Sequence, residues 1–239
     1  MLIVSILVFI YAVIQSVFGV GLLVFGTPSL LLLGYSFEQA LLYLLPASLV
    51  ISAFQVKEDH TYLGKFVRKF SFWTLPPMIV GLLLALTVLP QLHLQIIIAI
   101  ILLFGAAVRL SNRLSTTLQS WLLRYEKAYL FSMGLVHGVS NLGGGLLTVY
   151  GSMLFKAKQT VRAHIALGYG IFAFTQLCVI FLLHQTSLSR ELILFPLIAA
   201  AAFISVGRWA FHKATSALFY HGMTALMILF GAMLVGTAV

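Results

Sequence analysis

Uninterrupted apolar runs constrain this chain more than any other feature. Residues 2–13 and 92–108 carry no charged side chain, and runs of this kind bring the mean hydropathy to +1.10. A soluble core does not need so much apolar surface, so the runs read as membrane spans. In hydrocarbon every backbone N–H and C=O must find its partner within the protein, which leaves helices or a closed barrel. A barrel would alternate polar and apolar residues in segments of about ten. These runs are continuous, and the expectation is an all-α polytopic membrane protein.

Lysine and arginine positions then orient the spans. Six segments look long enough to cross: residues 37–56, 71–89, 92–108, 159–183, 192–206 and 214–239. The loop holding Lys57, Lys65, Arg68 and Lys69 and the loop holding Arg109, Arg113, Arg124 and Lys127 are basic. Both belong on the cytoplasmic side, with a tight turn at residues 90–93 outside. The net charge of +9 comes from these short clusters, so anionic lipid headgroups are the expected counter-charge and nucleic acid is not an expected partner.

Two stretches do not fit a simple span. Residues 1–34 and 128–155 are each too long for one crossing, and glycine divides each into halves of roughly 12 to 18 residues. At about 1.5 Å per residue a half reaches about 18 to 27 Å, short of a hydrocarbon core of about 30 Å. If residues 128–155 crossed once, Lys156, Lys158, Arg162, Arg208 and Lys213 would all lie outside. If the stretch dips in and returns, every basic residue except Arg190 is cytoplasmic. The charge pattern therefore favours a re-entrant hairpin, and the chargeless residues 1–34 read as a second one, entering from outside.

The chain then divides into residues 1–110 and 127–239, each a hairpin plus three spans, joined by a cytoplasmic linker at 111–126. The units have opposite orientation, an inverted-topology repeat, with both termini non-cytoplasmic. One constant offset pairs Glu38 with Gln159, Tyr43 with His164 and Gln55 with Gln176. Interrupted apolar segments at matching places in two halves point to a transporter's binding site. The first charged side chain is Glu38, so the basic start of a signal peptide is missing and the N-terminal segment is expected to belong to the mature fold.

The breaks hold the candidate site residues. Gly19 and Gly21 lie in the first, and Gly143, Gly144 and Gly145 in the second. A helix that starts after such a break offers free N–H groups and the positive end of its dipole, which suits an oxyanion at mid-depth. The same glycines also permit close helix packing. Ser140 and Asn141 precede the second cluster, where they serve as caps or as donors to an anion; Gln15 and Ser16 stand similarly before Gly19. His137 is the ionisable side chain placed deepest. Its imidazole is open to two readings, pairing an anion and coupling its movement to a proton, or resting neutral on a backbone carbonyl. Ser48 and Ser52 read as bonding to carbonyls near Pro46, whose place inside a span marks a cavity wall.

The two stretches FGVGLLVFGTPSLLLLGYSFEQA (18–40) and HGVSNLGGGLLTVYGSMLFKAKQTVRA (137–163) each run from a glycine-rich break through a short apolar helix into a span. In this they resemble the sulfite exporter TauE/SafE family, whose pattern is clustered glycines, a proline several residues later, and a turn into an Ala-x-Ala-Thr-Ser-like helix start. Gly19, Gly21 and Gly143 to Gly145 match the clusters and Pro28 the proline, while Val149 or a neighbour stands where the second proline would be. Ala40 and Val161 fall on the family alanine. Tyr43 and His164 fall where its threonine is usual, which places them among the substrate-binding candidates with altered bulk and hydrogen bonding. The resemblance implies transport of sulfite, organosulfonates or related small sulfur-containing anions across the plasma membrane.

Other classes fit less well. Neither a metal-ligand cluster nor a serine nucleophile motif is present in the sequence, so no metal, no other cofactor and no enzymatic activity are expected. Cys178 is the only cysteine and has no intrachain partner. The reading is a secondary transporter, expected to export and to form a homodimer, with the anion held at the midplane between two hairpin tips. An anion channel and a non-transporting membrane assembly protein are the alternatives.

Overall fold

The computed structural model describes residues 1–59, 64–89, 91–155, 157–184 and 190–238. The expected outer turn at Pro90 and the loop residue Lys156 lie outside them. Among the described residues there is no β-strand. Four helices are long and apolar enough to cross a membrane, Phe37–Glu58, Phe66–Thr87, Lys158–Leu183 and Glu191–Lys213. A fifth candidate is a pair, Gln95–Leu110 and Asn112–Leu122, bent by 103°. The last apolar helix, Thr224–Gly236, is shorter.

The first broken stretch is α1 (Leu2–Phe18), a π-helical turn (Leu22–Gly26) and α2 (Thr27–Leu32). Gly19 closes α1 in the left-handed region, φ 77°, and its N–H donates to the Gln15 carbonyl at 2.8 Å. The chain then doubles back so closely that a Cβ on Gly21 would sit 2.6 Å from the Gln15 backbone nitrogen, which only glycine permits. Tyr11 and Ser29 share a 2.6 Å hydrogen bond across the reversal.

The second broken stretch, α7 (Glu126–Ser140) and α8 (Gly143–Leu154), repeats the plan with different residues. Asn141 is left-handed, φ 62°, and its N–H donates to the His137 carbonyl at 2.7 Å. Asparagine tolerates this conformation better than other side chains. At the base, Tyr129 donates to the Leu146 carbonyl at 2.7 Å and Tyr150 to the Glu126 carboxylate at 2.6 Å. The two arms are therefore antiparallel, and the stretch is a helical hairpin.

Around these hairpins stand α3 (Phe37–Asp59), α4 (Gly64–Thr87), α5 (Gln91–Leu110), α9 (Lys158–His184), α10 (Glu191–Ala202) continued through a π-turn into α11 (Arg208–Lys213), and α12 (Ser216–Ala238). Arg162, near the start of α9, reaches Glu58 at the end of α3, while a Cβ on Gly170 would touch Ser52. Hence α3 and α9 pack antiparallel at the centre. α5 packs on α12, α7 on α4, and α1 on α10 and its continuation. The α7–α4 contact is backbone to backbone: a Cβ on Gly134 or Gly138 would fall on the carbonyl of Thr74 or Met78. These two glycines are packing glycines, as small residues four apart on membrane helices commonly are.

The expected linker contains a helix, α6 (Asn112–Arg124), capped by Ser111, whose Oγ accepts from the Leu114 N–H at 3.3 Å. Phe72, Ile100, Phe174, Leu182, Leu197 and Ile204 point outward as exposed apolar side chains. In a bilayer that belt faces lipid.

Candidate functional site

Each break gathers its own buried polar cluster. At the first, the Gln15 amide donates to Ser48 Oγ at 3.0 Å and to the Ser48 carbonyl at 3.2 Å, and accepts the Leu22 N–H at 3.3 Å. The Gln55 amide donates to the carbonyls of Gln15 and Ser16 at 2.7 and 3.1 Å, and Ser16 Oγ donates back to Ala12. The Arg162 guanidinium also meets the Ser16 carbonyl, at 3.2 Å. The exposed carbonyls at the end of α1 are thereby matched with donors, as a helix C-terminus in a dry setting requires.

One buried atom of the first cluster, Gln55 Oε1, lacks a partner among the described residues, and the second cluster is left more open. His137 Nε2 bonds Gln176 Oε1 at 3.2 Å while its ring stacks on Phe172, and a Cβ on Gly143 would sit 3.0 Å from His137 Nδ1. The Tyr169 hydroxyl stands against Gly144, where a Cβ would fall 1.7 Å from it. His137, Gln176, Asn141 and Tyr169 are all 0% exposed. Yet His137 Nδ1, Gln176 Nε2, Asn141 Oδ1 and Tyr169 Oη have no hydrogen-bond partner among the described residues. Buried polar atoms are nearly always paired, and leaving one unpaired costs about 1–3 kcal/mol. They gather around the start of α8, which makes this the candidate site for a polar ligand.

The two clusters are distinct stations. Gln55 lies one turn from the end of α3 and Gln176 two turns from the end of α9, so along this antiparallel pair they stand ~15 Å apart. Beside the second, the Asn141 amide donates to Thr27 Oγ1 at 2.9 Å, which ties this break to the return arm of the first hairpin.

Of the candidates read from the sequence, Gln15, Ser16, Gly19 and Gly21 fall at the first station. His137, Asn141, Gly143 and Gly144 fall at the second. Ser140 caps its own helix, donating to the Val136 carbonyl at 2.6 Å and accepting the Leu142 N–H at 3.3 Å. Gly145 faces the other way, toward Met227 and a cavity of about 250 Å³ lined mainly by apolar groups such as Val24, Leu102, Leu146 and Val149. Tyr43 and His164 sit apart from both stations. Tyr43 packs edge-on against Tyr35 and Phe195, and His164 stacks on Phe155 with its Nδ1 2.7 Å from the Thr160 carbonyl.

Sequence reasoning missed Tyr169, which in an apolar helix looks like any core aromatic, and saw Gln176 only through the repeat offset. Thr27 had no signal beyond its place beside Pro28. Ser48 turns to Gln15, where only local carbonyls were expected.

The sulfite exporter TauE/SafE family model matches residues 4–234, nearly the whole chain. The chain belongs to the TauE/SafE family. This is a family of membrane transporters for sulfur-containing anions, and with the apolar helices it makes the chain a multi-pass membrane protein. Comparison with curated proteins and with solved structures gives no match. Within this TauE/SafE chain the described residues hold no group of three or more His, Cys, Asp or Glu that suits a metal ion.

Proposed function

We propose that the chain is a plasma-membrane secondary transporter that exports sulfite or a related small sulfur oxyanion and binds it at the start of α8. The observation that carries this reading is the set of unpartnered buried atoms there: His137 Nδ1, Gln176 Nε2 and Tyr169 Oη beside Gly143 and Gly144. Two free donors, Gln176 Nε2 and Tyr169 Oη, and a helix N-terminus suit an anion, since each hydrogen bond to a charged acceptor strengthens where water is excluded; His137 Nδ1 becomes a third donor only on protonation, because its Nε2 already donates to Gln176 Oε1. The site is fully enclosed, so loading it requires movement of the helices around it.

An inverted repeat supplies that movement, with residues 1–110 rocking against 127–239. Its support is the mirrored packing: the first helix of each half lies along the long helix that follows the third element of the other half, α1 on α10 and α7 on α4. The offset noted in the sequence also pairs Phe37 with Lys158, the first residues of α3 and α9. One position further along, Gly19 pairs with Asn141, the left-handed residue at each break. This arrangement and the basic loops support re-entrant hairpins that enter from opposite faces and termini on the non-cytoplasmic side.

The test is uptake into proteoliposomes of sulfite, sulfoacetate, taurine, thiosulfate and sulfate, with and without a pH gradient. A saturable flux of sulfite or a sulfonate that runs uphill under a gradient is expected. If none moves under any gradient, the transport reading falls. Flux that never saturates and cannot run uphill would make the protein a channel.

A further inference from the structure

Arg162 is a long cation only 1% exposed, one turn into α9. One of its terminal nitrogens donates to the Ser16 carbonyl at 3.2 Å, the other bonds Glu58 Oε2 at 3.0 Å, and its guanidinium lies 3.4 Å from the Phe211 ring centre. Glu58 is shared. Its other oxygen accepts from Arg208 Nε at 2.6 Å, with His212 Nε2 4.0 Å away, and Arg208 and His212 are largely exposed. Beside this carboxylate opens a cleft of about 360 Å³ lined by Phe54, Lys57, Glu58, Phe203, Ile204 and Arg208. Lys158 completes the basic surround, its ammonium 4.7 Å from the Phe211 ring centre.

A buried guanidinium must keep an anionic partner, because an unpaired charge there is strongly unfavourable. Its planar fork accepts a carboxylate or a sulfur oxyanion in the same way. We propose that Glu58 is a tethered stand-in for the transported anion. Building on the transport reading above, an oxyanion arriving from the cytoplasm enters the cleft between Lys57 and Arg208 and takes Arg162 from Glu58. The released carboxylate swings outward on Arg208, and the anion comes to lie beneath the tip of the first hairpin. This is a second anion site, separate from the start of α8, and it acts on the cytoplasmic face alone.

The experiment compares wild type, Glu58→Gln and the double variant Glu58→Gln with Arg162→Gln. It measures sulfite flux in right-side-out and inside-out vesicles and equilibrium binding of labelled sulfite to the purified full chain. Removing the competing carboxylate should lower the cytoplasmic half-saturation concentration about tenfold, change the outer value less than twofold, and tighten binding about tenfold. The double variant should lose the gain. Where that variant fails to assemble, Arg162→Lys in the Glu58→Gln background serves, because it keeps the charge without the fork and should cut the gain to about threefold or less.

A purely structural salt bridge would change thermal stability and move both faces alike, which overturns the proposal. Saturable wild-type flux with unchanged half-saturation in Glu58→Gln also overturns it while leaving transport standing. Tighter binding in Glu58→Gln without flux in any vesicle would overturn the transport reading and uphold the anion site.

Discussion

The two helix breaks share a backbone plan and differ in how far their polar atoms are satisfied. In each, a left-handed residue, Gly19 or Asn141, donates its N–H to the carbonyl four positions back, and the chain reverses. At the first break Gln15 is bonded on both sides of its amide, the end of α1 is matched by Gln55 and Arg162, and one buried atom, Gln55 Oε1, lacks a partner among the described residues. At the second, two potential donors, Gln176 Nε2 and Tyr169 Oη, and two potential acceptors, His137 Nδ1 and Asn141 Oδ1, are buried without partners among the described residues. A related turn thus closes once on a largely satisfied joint and once on a cluster of unpaired polar atoms, the candidate site proposed above. The lesson is that glycine clusters locate breaks, whereas hydrogen-bond accounting singles out the break with the most unpaired polar atoms.

The sharpest way to break this comparison is to fill the hollow at the receptive tip. Gly144→Leu should abolish sulfite flux, by about 100-fold or more, while the protein still inserts and runs as one species in size-exclusion chromatography, because the new side chain must displace the Tyr169 hydroxyl. Gly145→Ala is the control: its Cβ meets only Met227 Cε at 3.5 Å, and flux should stay within about twofold. Equal damage from both would mean that α8 tolerates no added bulk anywhere, and the site would lose its special status.

Next comes an exchange of roles between the two glutamines. Gln15→Leu strips partners from Ser48 and the Leu22 N–H and should lower stability by about 1–2 kcal/mol, read as a thermal shift. Gln176→Leu removes one hydrogen bond and one already unpartnered nitrogen, so its stability cost should be below about 1 kcal/mol, while sulfite flux falls about tenfold. The reverse pattern would assign the binding role to the first break.

A smaller contrast separates the left-handed residues of the two breaks. Gly19→Ala forces a Cβ into φ 77° and against Ile165 Cγ2 at 3.1 Å, at a cost of about 1–2 kcal/mol. Asn141→Gly relieves the backbone but loses the bond to Thr27, so the melting temperature should barely move. Its flux should still fall, since the tie to the first hairpin is gone. Unchanged flux in Asn141→Gly would show that the stations work independently.

How much of this was legible in the sequence follows from what each feature depends on. The long helices were, because apolar runs and lysine and arginine positions are local: residues 37–56 were expected as a span and Phe37–Asp59 is the helix. The two breaks were also readable, since glycine clusters need no tertiary partner to be seen. Arg162 was not. It counted as one more cytoplasmic charge, and its burial depends on Glu58 and Phe211, which only the folded chain brings to it. Tyr169 was invisible for the same reason, its meaning resting on the missing Cβ of Gly144. Helix α6 left a readable trace in Ser111 followed by apolar residues at Leu114, Leu118 and Leu122, although its 103° turn from α5 had none.

The smallest effect concerns the bases of the hairpins, where the comparison turns on charge. The first is clasped by two hydroxyls, Tyr11 and Ser29, which do not titrate in the acid range. The second is clasped by Tyr150 and the Glu126 carboxylate, which also pairs with Lys69. Burial opposes the charged form of Glu126, but the bonds from Lys69 and Tyr150 outweigh it and hold the carboxyl below its ordinary value of 4.5. A carboxyl depressed in the fold contributes stability that is complete above its unfolded value and lost as pH falls through the folded one. Because the pair is partly solvent-exposed, the contribution should be about 0.5 kcal/mol or less. Acidifying from pH 6 into the carboxylate range and below should therefore destabilise wild type slightly more than Glu126→Gln, measured by thermal melts in detergent. Cysteine labelling near Tyr150 should rise on acidification while labelling near Ser29 does not; equal loosening at both bases would remove the electrostatic distinction between the hairpins.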